Sequence, residues 1–169
     1  LKPNIVKELG TLHLLRALAK IEVWDSPETV QSMKSVSITR HKTAAVPMPK
    51  GVTHQSHYVK GNYAGDYVTT PSFPDNWGPF DNENIEPVAM TADDNGHYII
   101  YVPEFRNNNR SDTEQKARLE IEYEDRDPYY IEFLDADKKG IDILRNYWYR
   151  FIVNKTNDQI EVHVDVLPY

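Results

Sequence analysis

Apolar and polar residues alternate with a period of two in several separate stretches of this chain, most densely towards its C-terminal end. Within Ile141 to Tyr169, Tyr147, Tyr149, Phe151 and Val153 fall on one face while Trp148, Arg150 and Ile152 fall on the other, the pattern of a strand. Further on, Ile160, Val162, Val164 and Val166 alternate with Glu161, His163 and Asp165. The five residues between the runs, Lys155-Thr156-Asn157-Asp158-Gln159, are polar and include an Asn-Asp pair that tolerates turn backbone geometry. These runs predict a long β-hairpin. A hairpin alone is marginal in water, so its apolar face needs a second layer supplied by the rest of the chain.

The upstream pattern supplies candidates for that layer. Ala17, Ala19, Ile21 and Val23 alternate with Lys20 and Glu22, predicting a strand from about Ala17 that Asp25-Ser26-Pro27 ends. Leu14, Leu18 and Ile21 would also suit a short helix, and a helical turn over 11–16 stays compatible with the sequence. Met33 to Arg40 reads as a strand with Val36 and Ile38 inward and Ser35, Ser37 and Thr39 outward. The Asp93-Asp94-Asn95-Gly96 turn leads into a strand from His97 to Val102, ended by Pro103. Lys116 to Glu124 sets Leu119, Ile121 and Tyr123 against Arg118, Glu120, Glu122 and Glu124, and Tyr129, Ile131 and Phe133 face inward along the next strand. These two predict a second hairpin, followed by a turn over Asp135 to Gly140. The whole predicts an all-β, antiparallel sandwich of seven or more strands.

Between 41 and 86 the periodicity disappears. Prolines at 47, 49, 71, 74 and 79, with Pro87 just beyond, and glycines at 51, 61, 65 and 78 break the stretch up. Its aromatic content is too high for a solvated linker, predicting an ordered excursion over the sandwich, with room for a short strand near His57 to Lys60. Residues 1–10, with Pro3 and Gly10, read as a loose lead-in.

At 169 residues, the chain suits one β-sandwich domain over 1–169 with one ordinary core. Tyr, Val, Ile and Thr are plentiful, which strengthens the strand reading. A net charge of -7 with no Lys/Arg cluster argues against a nucleic-acid partner and against anionic membrane surfaces. The absence of Cys removes disulfides, thiolate nucleophiles and zinc-thiolate sites. Leu1 opens the chain without Met or a signal-peptide pattern, so the sequence reads as a processed or excised piece of a larger protein.

No constellation points to catalysis, and no cofactor or metal is expected. His54 and His57 have H-x-x-H spacing but no third ligand at a telling offset, and read as loop histidines. Asp135-Ala136-Asp137-Lys138-Lys139-Gly140 starts like a calcium loop, yet places Lys139 at a ligand position and Asn146 where a bidentate Glu belongs, so it reads as a turn. Glu120, Glu122 and Glu124 share a strand face, as a glycosidase carboxylate pair would, but alternating charge is what an outer face requires. No G-x-S-x-G elbow is present. In the excursion, Tyr58, Tyr63, Tyr67 and Trp77 could stack on sugar rings as a ligand-facing surface, or cover the chain's own sandwich.

Four pieces in order, Leu15-Arg16-Ala17-Leu18-Ala19-Lys20-Ile21-Glu22-Val23, Tyr101-Val102-Pro103-Glu104-Phe105, Ile143-Leu144-Arg145-Asn146-Tyr147-Trp148-Tyr149-Arg150-Phe151 and Val162 to Tyr169, resemble the fimbrillin family, the subunits of type V pili. The resemblance implies an exported, non-enzymatic protein of transthyretin-like β-sandwich domains, located at the surface of a Gram-negative bacterium in outer-membrane-associated fimbriae. It implies partners that are other fimbrial subunits, joined by strand exchange, and a host or bacterial surface ligand for an adhesive member. Members usually carry two domains, so the chain would be a C-terminal domain, and an accessory, anchor or tip subunit more than a shaft one. Ile160, Val162, Val164 and Val166 are the expected subunit contact, with an ordinary core strand as the equal alternative. The alternative function is a carbohydrate-binding adhesin module using the 41–86 loop.

Overall fold

The computed structural model describes residues 16–45, 83–107, 116–135, 137–157 and 159–168. Among them there is no helix, and eleven strands are formed: β1 (Leu18–Asp25), β2 (Ser35–Thr39), β3 (His41–Lys42), β4 (Glu83–Asn84), β5 (Val88–Ala89), β6 (Thr91–Ala92), β7 (Tyr98–Pro103), β8 (Arg118–Glu122), β9 (Tyr129–Glu132), β10 (Tyr147–Lys155) and β11 (Ile160–Pro168). A five-stranded sheet runs in the order β11-β10-β1-β7-β6, and a four-stranded sheet in the order β5-β2-β8-β9. The fold is an all-β sandwich.

The parity read from the sequence decides which residues meet inside. Ala19, Ile21 and Val23 of β1, and Tyr149, Phe151 and Val153 of β10, are buried against Val36, Ile38, Leu119, Ile121 and Ile131 of the opposite sheet. Phe133 stands edge-on to Phe151 at 5.2 Å and to Tyr149 at 6.5 Å, the geometry aromatic quadrupoles favour. Burying any one of these large side chains contributes about 1.5–3 kcal/mol.

Both predicted hairpins form: β8 pairs antiparallel with β9, and β10 with β11 from Tyr147↔Pro168 to Lys155↔Ile160. The turn before β7 also forms, with Asp93 Oδ1 accepting the backbone N–H groups of Asn95 and His97, each at 2.9 Å, and Gly96 at φ 80°. Only glycine takes that φ without a Cβ penalty.

Four expectations need correction. The sandwich is not wholly antiparallel, since β1 and β10 pair parallel, Lys20↔Trp148 through Asp25↔Val153. Strands this far apart in sequence are joined through the opposite sheet, so no tight turn constrains their direction. The terminal hairpin loop is shorter than expected because Lys155 belongs to β10. It lies on the inward-facing parity and is buried, its ammonium 5.0 Å from the Tyr123 ring centre and donating to Gln31 and to Asp125. Thr39, expected outward, is buried next to Arg40, whose φ of 56° redirects the chain into β3. The aperiodic 41–86 stretch begins and ends in structure: β3 pairs antiparallel with β4, bringing its two ends together. The helical turn over 11–16 and the short strand near 57–60 fall, apart from Arg16, outside the described residues.

A polar corner joins the two ends of the central strands. Arg145 is fully buried and donates from Nε and Nη2 to Glu104 Oε1 at 2.9 and 2.7 Å. Next to it Asn146, at φ 63°, donates its backbone N–H to Leu18 at 3.0 Å. Tyr149 Oη accepts the Leu144 N–H at 2.8 Å and donates to the Asp142 carbonyl at 3.0 Å. Glu104 belongs to the piece from Tyr101 to Phe105, and Arg145 to the piece from Ile143 to Phe151. Two of the four pieces behind the family resemblance therefore meet as one buried pair.

Candidate functional site: an open edge and its groove

Strand β11 ends the five-stranded sheet, so one of its sides carries backbone N–H and C=O groups with no strand partner among the described residues. At nine residues it is far longer than β5 and β6, two residues each, and β9, four, which end the other sheet edges. Proteins usually keep edge strands short, interrupted or covered, because a long open edge recruits another strand. No proline interrupts β11 before Pro168.

Its two faces differ. Outward, Asp165 accepts Arg150 Nη2 at 2.5 Å and His163 Nε2 at 3.0 Å. The Arg150 hydrogen bond, reinforced by that of His163, holds the Asp165 carboxyl below the usual carboxylate range. These contacts anchor β11 to β10 without using its free edge. Inward, Val162, Val164 and Val166 stand opposite Val153, Phe151 and Tyr149. The β10 residues of these pairs are at most 1% exposed, whereas Val166 is 44% exposed and Val162 and Val164 are half-buried.

The cover thins there because the facing sheet ends at β9. Between the two edge strands runs a groove of about 810 Å³, floored by Tyr129 and Ile131 of β9 and by Val162, Val164 and Val166 of β11. Glu132, Asp135, Lys138 and His163 supply its polar parts. The arrangement suits an extended segment that presents backbone to β11 and alternate apolar side chains to the groove.

Of the residues singled out in the sequence, Val162, Val164 and Val166 come together along this groove, while Ile160 lies at the start of β11, half-buried. Tyr58, Tyr63, Tyr67 and Trp77, with His54 and His57, lie outside the described residues. The Asp135 carboxylate accepts the backbone N–H groups of Asp137 and Lys139 at 2.9 and 2.8 Å, which makes it a turn-holding group. Glu122 accepts the Ser35 hydroxyl at 2.7 Å on the outer face of its sheet. The contribution of Tyr129 and Ile131 to a groove was missed, since their alternation reads the same whether the residue opposite is core or opening.

No protein-family model matches the chain, and no curated protein does. Among solved structures it is similar to the tip fimbrial protein Mfa3 of Porphyromonas gingivalis with a C-terminal truncation, at TM-score 0.61 and 14% identity, over 92% of this chain and 52% of that one. It is also similar to a proposed cell adhesion protein of Bacteroides uniformis, at TM-score 0.55 and 12% identity, over 91% and 51% of the two chains. The chain spans about half the length of these structures. At such identity the shared property is the fold, and the all-β sandwich agrees with what the sequence led one to expect.

Proposed function

We propose that this chain is a fimbrillin-family domain serving as a non-enzymatic structural or adhesive subunit of a bacterial surface fimbria, joined to neighbouring subunits by strand addition at β11. The observation that carries this reading is the nine-residue open edge of β11 standing over an apolar groove. An added strand would satisfy the outward-facing backbone groups, each net hydrogen bond being worth about 0.5–1.5 kcal/mol, and would cover the exposed valines. The fold shared with a tip fimbrial protein supports an accessory, anchor or tip position, on an outer-membrane-associated fibre of a Gram-negative bacterium. Transthyretin-like topology, membership of a larger two-domain subunit, and other fimbrial subunits as partners belong to the same reading. So does Ile160, with Val162, Val164 and Val166, as the subunit contact.

The test is recovery of the native fibre with and without a change at the edge. In cells carrying the unaltered chain, SDS-resistant ladders contain it. Val166→Lys places a charge in the groove mouth and removes the chain from the ladders, while its thermal midpoint stays unchanged. Ladders that retain Val166→Lys at the wild-type level overturn the β11 assignment. Glycan binding that disappears in Trp77→Ala or Tyr67→Ala, in a chain absent from all ladders, would favour a carbohydrate-binding module.

A further inference from the structure

On the opposite face of the five-stranded sheet, away from the core, three side chains converge that the fibre role does not use. Glu22 lies at the middle of β1 and by parity points away from Ile21 and Val23, yet it is only 4% exposed. Its Oε1 accepts Lys20 Nζ at 3.1 Å and lies 3.4 Å from His97 Nδ1. Its Oε2 is buried with no partner. A buried carboxylate oxygen without a donor costs about 1–3 kcal/mol or more, so such atoms ordinarily have a donor, a water or a cation beside them.

Asp93 and His97 approach the same carboxylate from the turn between β6 and β7, His97 on the side of Oε1. Asp93 Oδ1 is committed to the Asn95 and His97 amides, so Oδ2 can ligate without opening the turn. His97 stacks on Trp24, with ring centres 4.8 Å apart and planes 18° from parallel, which orients the plane of its ring. One ligand atom from each of Glu22, Asp93 and His97 lies within 4.8 Å of the other two. Around a bound zinc, ligand atoms at about 2.0–2.2 Å from the metal stand roughly 3–3.5 Å from one another. The widest separation therefore has to close by up to roughly 1.3–1.8 Å, a shift that the turn carrying Asp93 and His97, both only partly buried, has to supply.

We infer that Glu22, Asp93 and His97 form a divalent-cation site of the zinc class that staples the β6–β7 turn to β1. An imidazole with two carboxylates is a borderline-soft set, which favours Zn²⁺ over Ca²⁺ or Mg²⁺, whose sites are built from oxygen ligands. In the metal-bound form His97 carries its proton on Nε2 and presents Nδ1 to the ion, replacing a contact that at 3.4 Å is a long hydrogen bond. Two nearby cations oppose the ion: Lys20 on Glu22 Oε1, and Arg150, 5.6 Å from the Trp24 ring centre. Lys20 also sits 4.4 Å from the Trp148 ring centre, so its ammonium has a seat that does not depend on Glu22. Affinity is accordingly modest, and the other two ligands supply the discrimination.

The site is tested with the full chain, free of any affinity tag and stripped with a chelator, titrated with Zn²⁺ by calorimetry and followed by thermal unfolding. One-site binding with a rise in midpoint is expected, together with a visible d–d spectrum when Co²⁺ replaces Zn²⁺. His97→Gln removes all three signals, and the isosteric Glu22→Gln weakens binding at least about tenfold. Asp93→Asn serves in the same role should His97→Gln fail to fold. His54→Ala/His57→Ala leaves binding intact. The inference is overturned by a chain that takes no zinc at millimolar concentration, by binding unchanged in His97→Gln, or by binding lost with His54 and His57.

Discussion

Arg145 and Glu104 form an ion pair inside the fold, 2.7 Å apart. Both are essentially removed from water, and each neutralises a charge that the interior could not otherwise hold. Arg145→Met takes the guanidinium away from the buried Glu104 carboxylate, and should cost about 3–5 kcal/mol in urea unfolding. Adding Glu104→Gln to Arg145→Met should return a large part of that loss, since the remaining cost is then of hydrogen bonds and not of a buried charge. A double variant no more stable than Arg145→Met would show that the pair acts through packing alone. The buried tyrosines give a second residue-scale prediction. Burial, aided by the nearby Asp25 charge, pushes the Tyr123 hydroxyl up to about 12, and burial raises that of Tyr149 as well. The fold thus favours the neutral phenols. Their contribution is complete below pH 10, the unfolded value, and is lost as pH rises towards 12. Unfolding midpoints should fall steeply across that window, and fall less in Tyr123→Phe. None of this was legible in the sequence: Glu104 and Arg145 were noticed as parts of separate motifs, but a period-two pattern assigns a face and says nothing about which distant residue lies opposite.

At the scale of elements, the alternating pattern was a sound guide wherever one face meets core and the other meets water. It placed β1, β7, β8, β9, β10 and β11 within a few residues, and the inward set Leu119, Ile121, Phe151 and Val153 is buried as expected. Register between strands that are not neighbours in sequence was not legible, which is why the parallel β1–β10 pair went unforeseen. The groove was legible only by half. The valines of β11 were visible as an apolar run, but whether such a run is covered depends on where the opposite sheet ends, and that is a property of another element. The contrast between β10 and β11 is testable. Phe151→Ala removes a fully buried ring from between the sheets and should cost about 3–5 kcal/mol. Val166→Lys, at the open edge, should change stability by no more than about 0.5 kcal/mol. Equal losses at the two positions, measured by chemical denaturation, would mean that β11 is as enclosed as β10 and that there is no groove to fill.

The whole molecule closes its larger sheet by joining the two ends of the described chain. β1 is held between β10 on one side and β7 on the other, so its inner face is complete only after the last hairpin arrives. Pairings this distant in sequence raise the entropic cost of the folding nucleus and slow folding. The same arrangement bears on a joining role, because a partner held at β11 is connected through β10 to β1 by two continuous ladders, Tyr147↔Pro168 to Lys155↔Ile160 and Lys20↔Trp148 to Asp25↔Val153. Removing residues from Ile141 onward takes away Tyr149, Phe151 and Val153 together with Arg145, leaving Glu104 buried without its guanidinium. Three large side chains at about 1.5–3 kcal/mol each, with the loss of a buried ion pair, are comparable with the roughly 5–15 kcal/mol that keeps a domain folded. A chain ending at Gly140 should therefore be rapidly cleaved by protease, bind a hydrophobic dye, and lack a cooperative melting transition. If it instead melts cooperatively near the intact midpoint, the four-stranded sheet with β1, β6 and β7 is self-sufficient, and the terminal hairpin is an appendage, not the frame that carries load from β11 into the sandwich.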